Sequence, residues 1–147
     1  MSIEEDVALL ERVPTLRLLG GPALRMVAIG SEQRNIARGD LLFKQGDDAD
    51  SGFVVQRGAF RIDDGAGAET TAGPGTLIGE LALVVAMRRP ANATALEYCS
   101  VIRIARSLFQ RVLESDPAAA VRLRDEFATR SSRIATDILI AGAKLSG

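Results

Sequence analysis

The chain contains no histidine and no tryptophan, one cysteine and one tyrosine. Without histidine, imidazole haem ligation, imidazole acid–base catalysis and His-containing metal sites are all excluded. One thiol, Cys99, cannot close an internal disulfide or supply the four thiolates of an iron–sulfur cluster. It lies in an apolar stretch running from Tyr98 through Val101 and reads as an inert buried thiol. Aromatic residues make up 4% of the chain, so no strong base-stacking platform is evident, and Phe43, Phe53 and Phe60 read as core. An excess of one charge is also missing. The 18 Lys and Arg against 19 Asp and Glu leave a net charge of −1, which points to neither a nucleic-acid binder nor a membrane-surface protein. No apolar run approaches the roughly 18 residues of a membrane-spanning helix. The acidic start, MSIEEDVALLERVP, lacks a basic region ahead of an apolar one and is not a signal peptide. The expected compartment is a reducing cytoplasm. With no arranged nucleophile and no metal cluster, an enzyme is not expected, nor is a metal or a resident cofactor.

What is present is a regular change of texture along 147 residues, a length that suits one domain. Residues 1–30 read as N-terminal helices. Ser2 and Glu5 form a capping box, and Ile3, Val7 and Leu10 follow at helical spacing, predicting a helix from Ile3 to Arg12 that ends before Pro14. A second opens near Pro22, turns Leu24, Val27 and Ala28 inward and stops at Gly30. Residues 33–104 read as many short strands: Asn35-Ile36, Leu41–Phe43, Phe53–Val55, Ala59–Ile62, Thr70-Thr71, Leu77-Ile78, Ala93–Leu96 and Cys99–Ile104. The stretch from Asp63 to Ala68 reads as a hairpin tip. Residues 105–143 read as two C-terminal helices, the second opened by Asp116-Pro117 and striped by Ala120, Leu123, Phe127, Ser131, Ile134, Ile138 and Ala141. The expected fold is mainly β, an antiparallel β-roll with flanking helices.

One stretch carries chemistry. Gly79-Glu80-Leu81-Ala82-Leu83 is followed, after a short gap, by Arg89-Pro90-Ala91. The backbone N–H groups of Leu81 and Ala82 can open a helical turn, and a helix start attracts anions. An arginine can grip two phosphate oxygens at once. A carboxylate such as Glu80 is a poor phosphate partner but a good acceptor for sugar hydroxyls. Together they suggest a ligand with a phosphate at one end and a sugar hydroxyl nearby.

These residues resemble the phosphate-binding cassette of the cyclic-nucleotide-binding domain family, which includes bacterial catabolite activators, regulatory subunits of cyclic-nucleotide-dependent kinases and gated channels. The family pattern reads roughly Gly-Glu-Leu-Ala-Leu, a gap, then Arg-x-Ala-Thr; here the cassette, residues 78–92, reads IGELALVVAMRRPAN. Upstream, Gly39-Asp40-Leu41-Leu42, Gly46-Asp47 and Phe53–Gly58 match as well, and glycines 39, 46, 58, 75 and 79 fall where the family keeps turns. The likeness runs from about Leu9 to about Phe127.

The resemblance implies a fold, the roll also called a double-stranded β-helix or jelly roll, and a ligand, cyclic AMP by family frequency ahead of cyclic GMP. It implies ligand contacts at Gly79, Glu80, Leu81, Ala82, Arg89, Ala91 and Asn92, with Glu80 on the ribose 2′-hydroxyl and Arg89, rather than Arg88, on the phosphate. Three features depart from the pattern. Pro90 stands where the family offers a backbone N–H to the phosphate, and proline has none. Asn92 stands where Thr or Ser is usual; it is either a compensating donor or a turn residue. Gly52 replaces a bulky apolar residue. The last helix, with Ser131 in its stripe, would be a lid over the base, a homodimer seam or a helix packed on its own domain. Two functions follow. In one, the roll binds cyclic nucleotide and shifts its helices against a protein effector. In the other, a vestigial roll without nucleotide serves as a dimerisation or interaction module. A DNA-binding regulator is not expected, since only about twenty residues follow Phe127.

Overall fold

A computed structural model describes residues 2–129 of the 147. Three helices lead: α1 (Ile3–Glu11), α2 (Pro14–Arg17) and α3 (Gly21–Gly30). Ten short strands follow: β1 (Glu32–Ile36), β2 (Leu41–Phe43), β3 (Asp48–Ala49), β4 (Ser51–Arg57), β5 (Phe60–Asp63), β6 (Glu69–Ala72), β7 (Leu77–Ile78), β8 (Met87–Arg88), β9 (Asn92–Ala95) and β10 (Cys99–Ala105). Helix α4 (Arg106–Ser115) comes next, and residues 117–129 are helical again, here α5.

The helix ends follow local chemistry. The Ser2 hydroxyl accepts from the Glu5 N–H at 3.1 Å and caps α1. Pro14 does end α1, yet it opens α2 as well, because proline suits a first helical turn where no N–H is needed. The sequence reading had no helix there. The Asp116 carboxylate accepts from the Ala119 N–H at 3.2 Å and caps α5.

The strands pair antiparallel throughout. One sheet runs β1-β10-β4-β7, a second runs β2-β9-β5-β6, and β3 and β8 form a two-stranded ribbon. Alternation along β4 and β10 explains the layering. Phe53, Val55 and Val101 point between the sheets with Phe60, Ala72 and Ala95, while Val54, Ile102 and Ile104 point outward to Leu10, Leu24, Val27 and Phe109 of the helices. Both faces of β4 are therefore covered, and its run from Ser51 to Val55 is buried at every position. Each large side chain so enclosed contributes roughly 1.5–3 kcal/mol. This is the roll with flanking helices that the texture predicted. Cys99 is buried, its sulfur 3.3 Å from the carbonyls of Ala59 and Glu97.

The five turn glycines all have φ between 79° and 91°. At Gly58 the reason is close approach as well as conformation. A Cβ there would lie 2.6 Å from the Cys99 sulfur and 2.7 Å from the Tyr98 carbonyl oxygen. Gly52 is buried, and a Cβ there would come within 3.2 Å of both Leu77 and Leu83, so packing accounts for its missing side chain. Ribbon β3–β8 was not foreseen. Its pairs, Asp48 with Arg88 and Ala49 with Met87, carry no apolar alternation to read.

No helix among the described residues is long and apolar enough to cross a membrane. Ser131 and the stripe continuing through Ile134, Ile138 and Ala141 lie outside the described residues.

Candidate functional site

Strand β7 ends at Ile78, and the left-handed backbone of Gly79 (φ 79°) turns the chain into a single 3-10 turn, Glu80–Leu83. Ala82 and Leu83 are buried under it, and Leu81 is half exposed. Ten residues on, Arg89 follows β8. Its main chain is fixed at both ends by the 46–47 loop: its N–H donates to the Asp47 carbonyl at 2.8 Å and its carbonyl accepts from Gly46 at 2.9 Å. The Arg89 side chain is driven inward and is only 4% exposed.

What surrounds that guanidinium is unusual for a charge. It lies over the Phe43 ring, 4.3 Å from its centroid, and 5.4 Å from the centroid of Phe53. Nη2 donates to the Ser51 hydroxyl at 3.3 Å, and Nε is buried with no hydrogen-bond partner among the described residues. Among the described residues Arg89 makes no ion pair, whereas neighbouring Arg103 pairs with Asp50 at 3.2 Å. Desolvation lowers the Arg89 pKa below the usual arginine value, and nearby Arg103 adds to this; Asp50 and Asp47 pull the other way. Gly79 makes room for the group, since a Cβ there would stand 2.6 Å from Nη1. Arg88, by contrast, is exposed and donates from Nη1 to the Gly46 carbonyl at 3.1 Å.

A cavity of about 270 Å³ opens beside this arrangement. Gly79, Glu80, Leu81 and Ala82 form one rim, Arg89, Pro90 and Ala91 another, and Phe43, Ile62, Ile78 and Met87 an apolar wall. Six of the seven sequence-selected contact residues thus meet at one cavity. Asn92 does not. Its Oδ1 accepts from the Gln45 N–H at 2.7 Å and ties the 44–47 loop to β9, so of the two readings the turn role is the one its geometry fills. One correction concerns the expected pair of free N–H groups. The Ala82 N–H donates to the Gly79 carbonyl at 3.1 Å, because a 3-10 turn closes three residues back. Four residues make too short a helix for the anion attraction expected of a helix start.

Four contributors escaped the sequence reading. The Thr15 hydroxyl, buried in α2, donates to Glu80 Oε2 at 2.9 Å. Ser51 meets Arg89. Phe43 and Phe53, read only as core, also floor the guanidinium. No local pattern marks a residue sixty-five positions away as a partner of Glu80.

The family model for the cyclic nucleotide-binding domain matches residues 33–116, more than half of the chain. The chain belongs to the cyclic nucleotide-binding domain family. Among curated proteins, a cAMP-dependent protein kinase regulatory subunit from Eremothecium gossypii is 33% identical over 65% of this chain and 21% of its own length. A lysophospholipase of Neurospora crassa is 26% identical over 92% of this chain but only 9% of its own length. The chain thus spans about a fifth or less of these relatives. Among solved structures, the N-terminal domain of a transcriptional regulator from Streptomyces coelicolor superposes with a TM-score of 0.79 at 28% identity, covering 88% of this chain and 94% of that one. A cyclic nucleotide-binding-like protein from Brucella abortus gives 0.66 at 32% identity, covering 75% and 98%. Both superpositions show that this chain shares the fold of those proteins.

Proposed function

We propose that the roll binds a cyclic nucleotide, cyclic AMP in preference to cyclic GMP, and that occupancy is passed to a protein effector by movement of the flanking helices. The observation that carries this reading is Arg89: a buried guanidinium without an ion-pair partner among the described residues, facing the same cavity as Glu80. A desolvated cation of this kind is costly unless an anion completes it. The nucleotide phosphate would be that anion, and Glu80 would accept from the ribose hydroxyl beside it. Leu81 and Ala91 would border the phosphate. The kinase regulatory subunit among the relatives, a protein described as cAMP-dependent, supports the choice of base. The cytoplasm, where such messengers act, is the proposed compartment. A homodimer through the C-terminal helix is kept as a proposal that rests on residues beyond 129.

Specific observations favour the second reading, a roll without nucleotide that serves as an interaction module. Pro90 offers no N–H, the Ala82 N–H is spent within its turn, Glu80 is engaged by Thr15, and a cavity of about 270 Å³ falls just under the roughly 300 Å³ where ligand pockets usually begin. Calorimetric titration decides between them. Cyclic AMP should release heat with wild type and none with Glu80→Ala and Arg89→Met together. Silence of the wild type toward both cyclic nucleotides at millimolar concentration would leave the module reading.

A further inference from the structure

Arg106, the first residue of α4, sits at the opposite end of the turn from Arg89. One nitrogen, Nη1, donates to three backbone carbonyls: Ala49 at 2.9 Å, Ala82 at 3.1 Å and Val85 at 2.9 Å. It carries two hydrogens, so one is shared between two oxygens. The backbone N–H of the same residue donates to the Asp50 carbonyl at 2.8 Å. Arg106 therefore joins the start of α4 and the β3–β4 junction to the far end of the 80–83 turn.

That turn needs outside support. Its start has no side-chain cap. Inside, it has the i to i−3 bonds Ala82 to Gly79 and Val84 to Leu81, with Val85 also donating to Leu81. The carbonyls of its last residues have no helical N–H to meet, the usual deficit of a helix end. A cationic donor there satisfies them. Leu81 and Val85 are 50% and 44% exposed, so only Ala82 and Leu83 anchor the turn by burial.

We propose that Arg106 is the positioning residue of this cavity: by clamping the Ala82 and Val85 carbonyls to that of Ala49, it holds the turn that presents Gly79, Glu80 and Leu81 in register with Arg89. It touches no ligand and acts through the turn. The ordering of the turn stands without any ligand, whereas the consequence for affinity rests on the nucleotide reading above.

Backbone amide hydrogen exchange on the full chain tests the ordering, comparing wild type, Arg106→Gln, Arg106→Lys and, as a control on the exposed face of α4, Arg111→Gln. Exchange across residues 81–87 should quicken about tenfold or more in Arg106→Gln, well beyond any change at the core amides of Val54 and Ile102. The lysine variant, whose ammonium can still reach carbonyls, should recover most of the protection, and Arg111→Gln should match wild type. Unchanged exchange at 81–87, or a rise shared equally by the core strands, would overturn the proposal, the latter by showing Arg106 to be a stability residue only. With cyclic AMP, Arg106→Gln should bind about tenfold more weakly and Arg106→Lys should recover part of the loss. A loosened turn with unaltered affinity would refute the positioning role. If wild type binds no nucleotide at all, the nucleotide reading falls and the exchange data alone judge the clamp.

Discussion

Replacing Arg89 by methionine should separate stability from binding. In the protein without nucleotide, Arg89 loses three things on substitution. Its bond to Ser51 is long, at 3.3 Å, and contributes about 1 kcal/mol. Its position over Phe43 and Phe53 contributes about 1–2 kcal/mol. Its methylene stem is largely replaced by the methionine, whose sulfur also packs well against rings. Against these stands the cost of holding an unpaired ion away from water, several kcal/mol even after relaxation. The terms nearly cancel or favour methionine, so Arg89→Met should be as stable as wild type or more stable by about 1 kcal/mol, a rise of a few degrees in Tm for a chain of this size. Cyclic AMP affinity should nonetheless fall about a hundred- to a thousandfold, the equivalent of about 3–4 kcal/mol for a buried charge partner. Urea unfolding read by circular dichroism gives the first quantity and calorimetry the second. A loss of more than about 2 kcal/mol in the absence of nucleotide would make Arg89 a structural residue, and the argument from its missing partner would fail.

Thr15→Val keeps the shape of a buried side chain and removes the donor to Glu80 Oε2. Because Glu80 can regain water, the expected cost is about 1 kcal/mol, read as a lower urea midpoint with an unchanged slope. The Asp50 carboxyl responds to pH. Partial burial works to raise its pKa, but the Ser51 hydroxyl and Arg103 outweigh it and hold it below the ordinary 3.8. A carboxyl with a lowered folded pKa adds stability that is complete above its unfolded value and is lost as pH falls through the folded one. The urea midpoint should therefore drop on acidification from about pH 6 to about pH 3, and Asp50→Asn should show a smaller drop.

The roll was legible because its evidence is local. Strands Leu41–Phe43 and Leu77–Ile78 have the bounds their apolar runs announce, and the Asp63-to-Ala68 tip closes as read, with the Asp64 carboxylate accepting from the Ala66 and Ala68 N–H groups at 2.8 and 3.1 Å. Ribbon β3–β8 was not legible, since two dipeptides of one apolar and one charged residue each are too short to show alternation and become strands only through pairing with each other. The site was half legible. The family resemblance, counted from Gly79, picked out Arg89 over its neighbour Arg88, and six of seven selected residues do meet at one cavity. It misjudged the Ala82 N–H and left Asn92 open between donor and turn residue, because a group's availability depends on what the fold has already given it.

The residue types alone determined the chemistry this chain is denied, and the order of apolar runs and turn glycines determined a roll flanked by helices. Each of those is a property of neighbours along the chain. Only the tertiary structure decided that Arg89 would lie buried over two phenylalanines without a carboxylate partner among the described residues, that Glu80 would meet Thr15, and that Arg106 would reach back to Ala82 and Val85. Those contacts join segments distant in sequence, and which atoms meet is fixed by how sheets and helices pack, a quantity no spacing along the chain encodes.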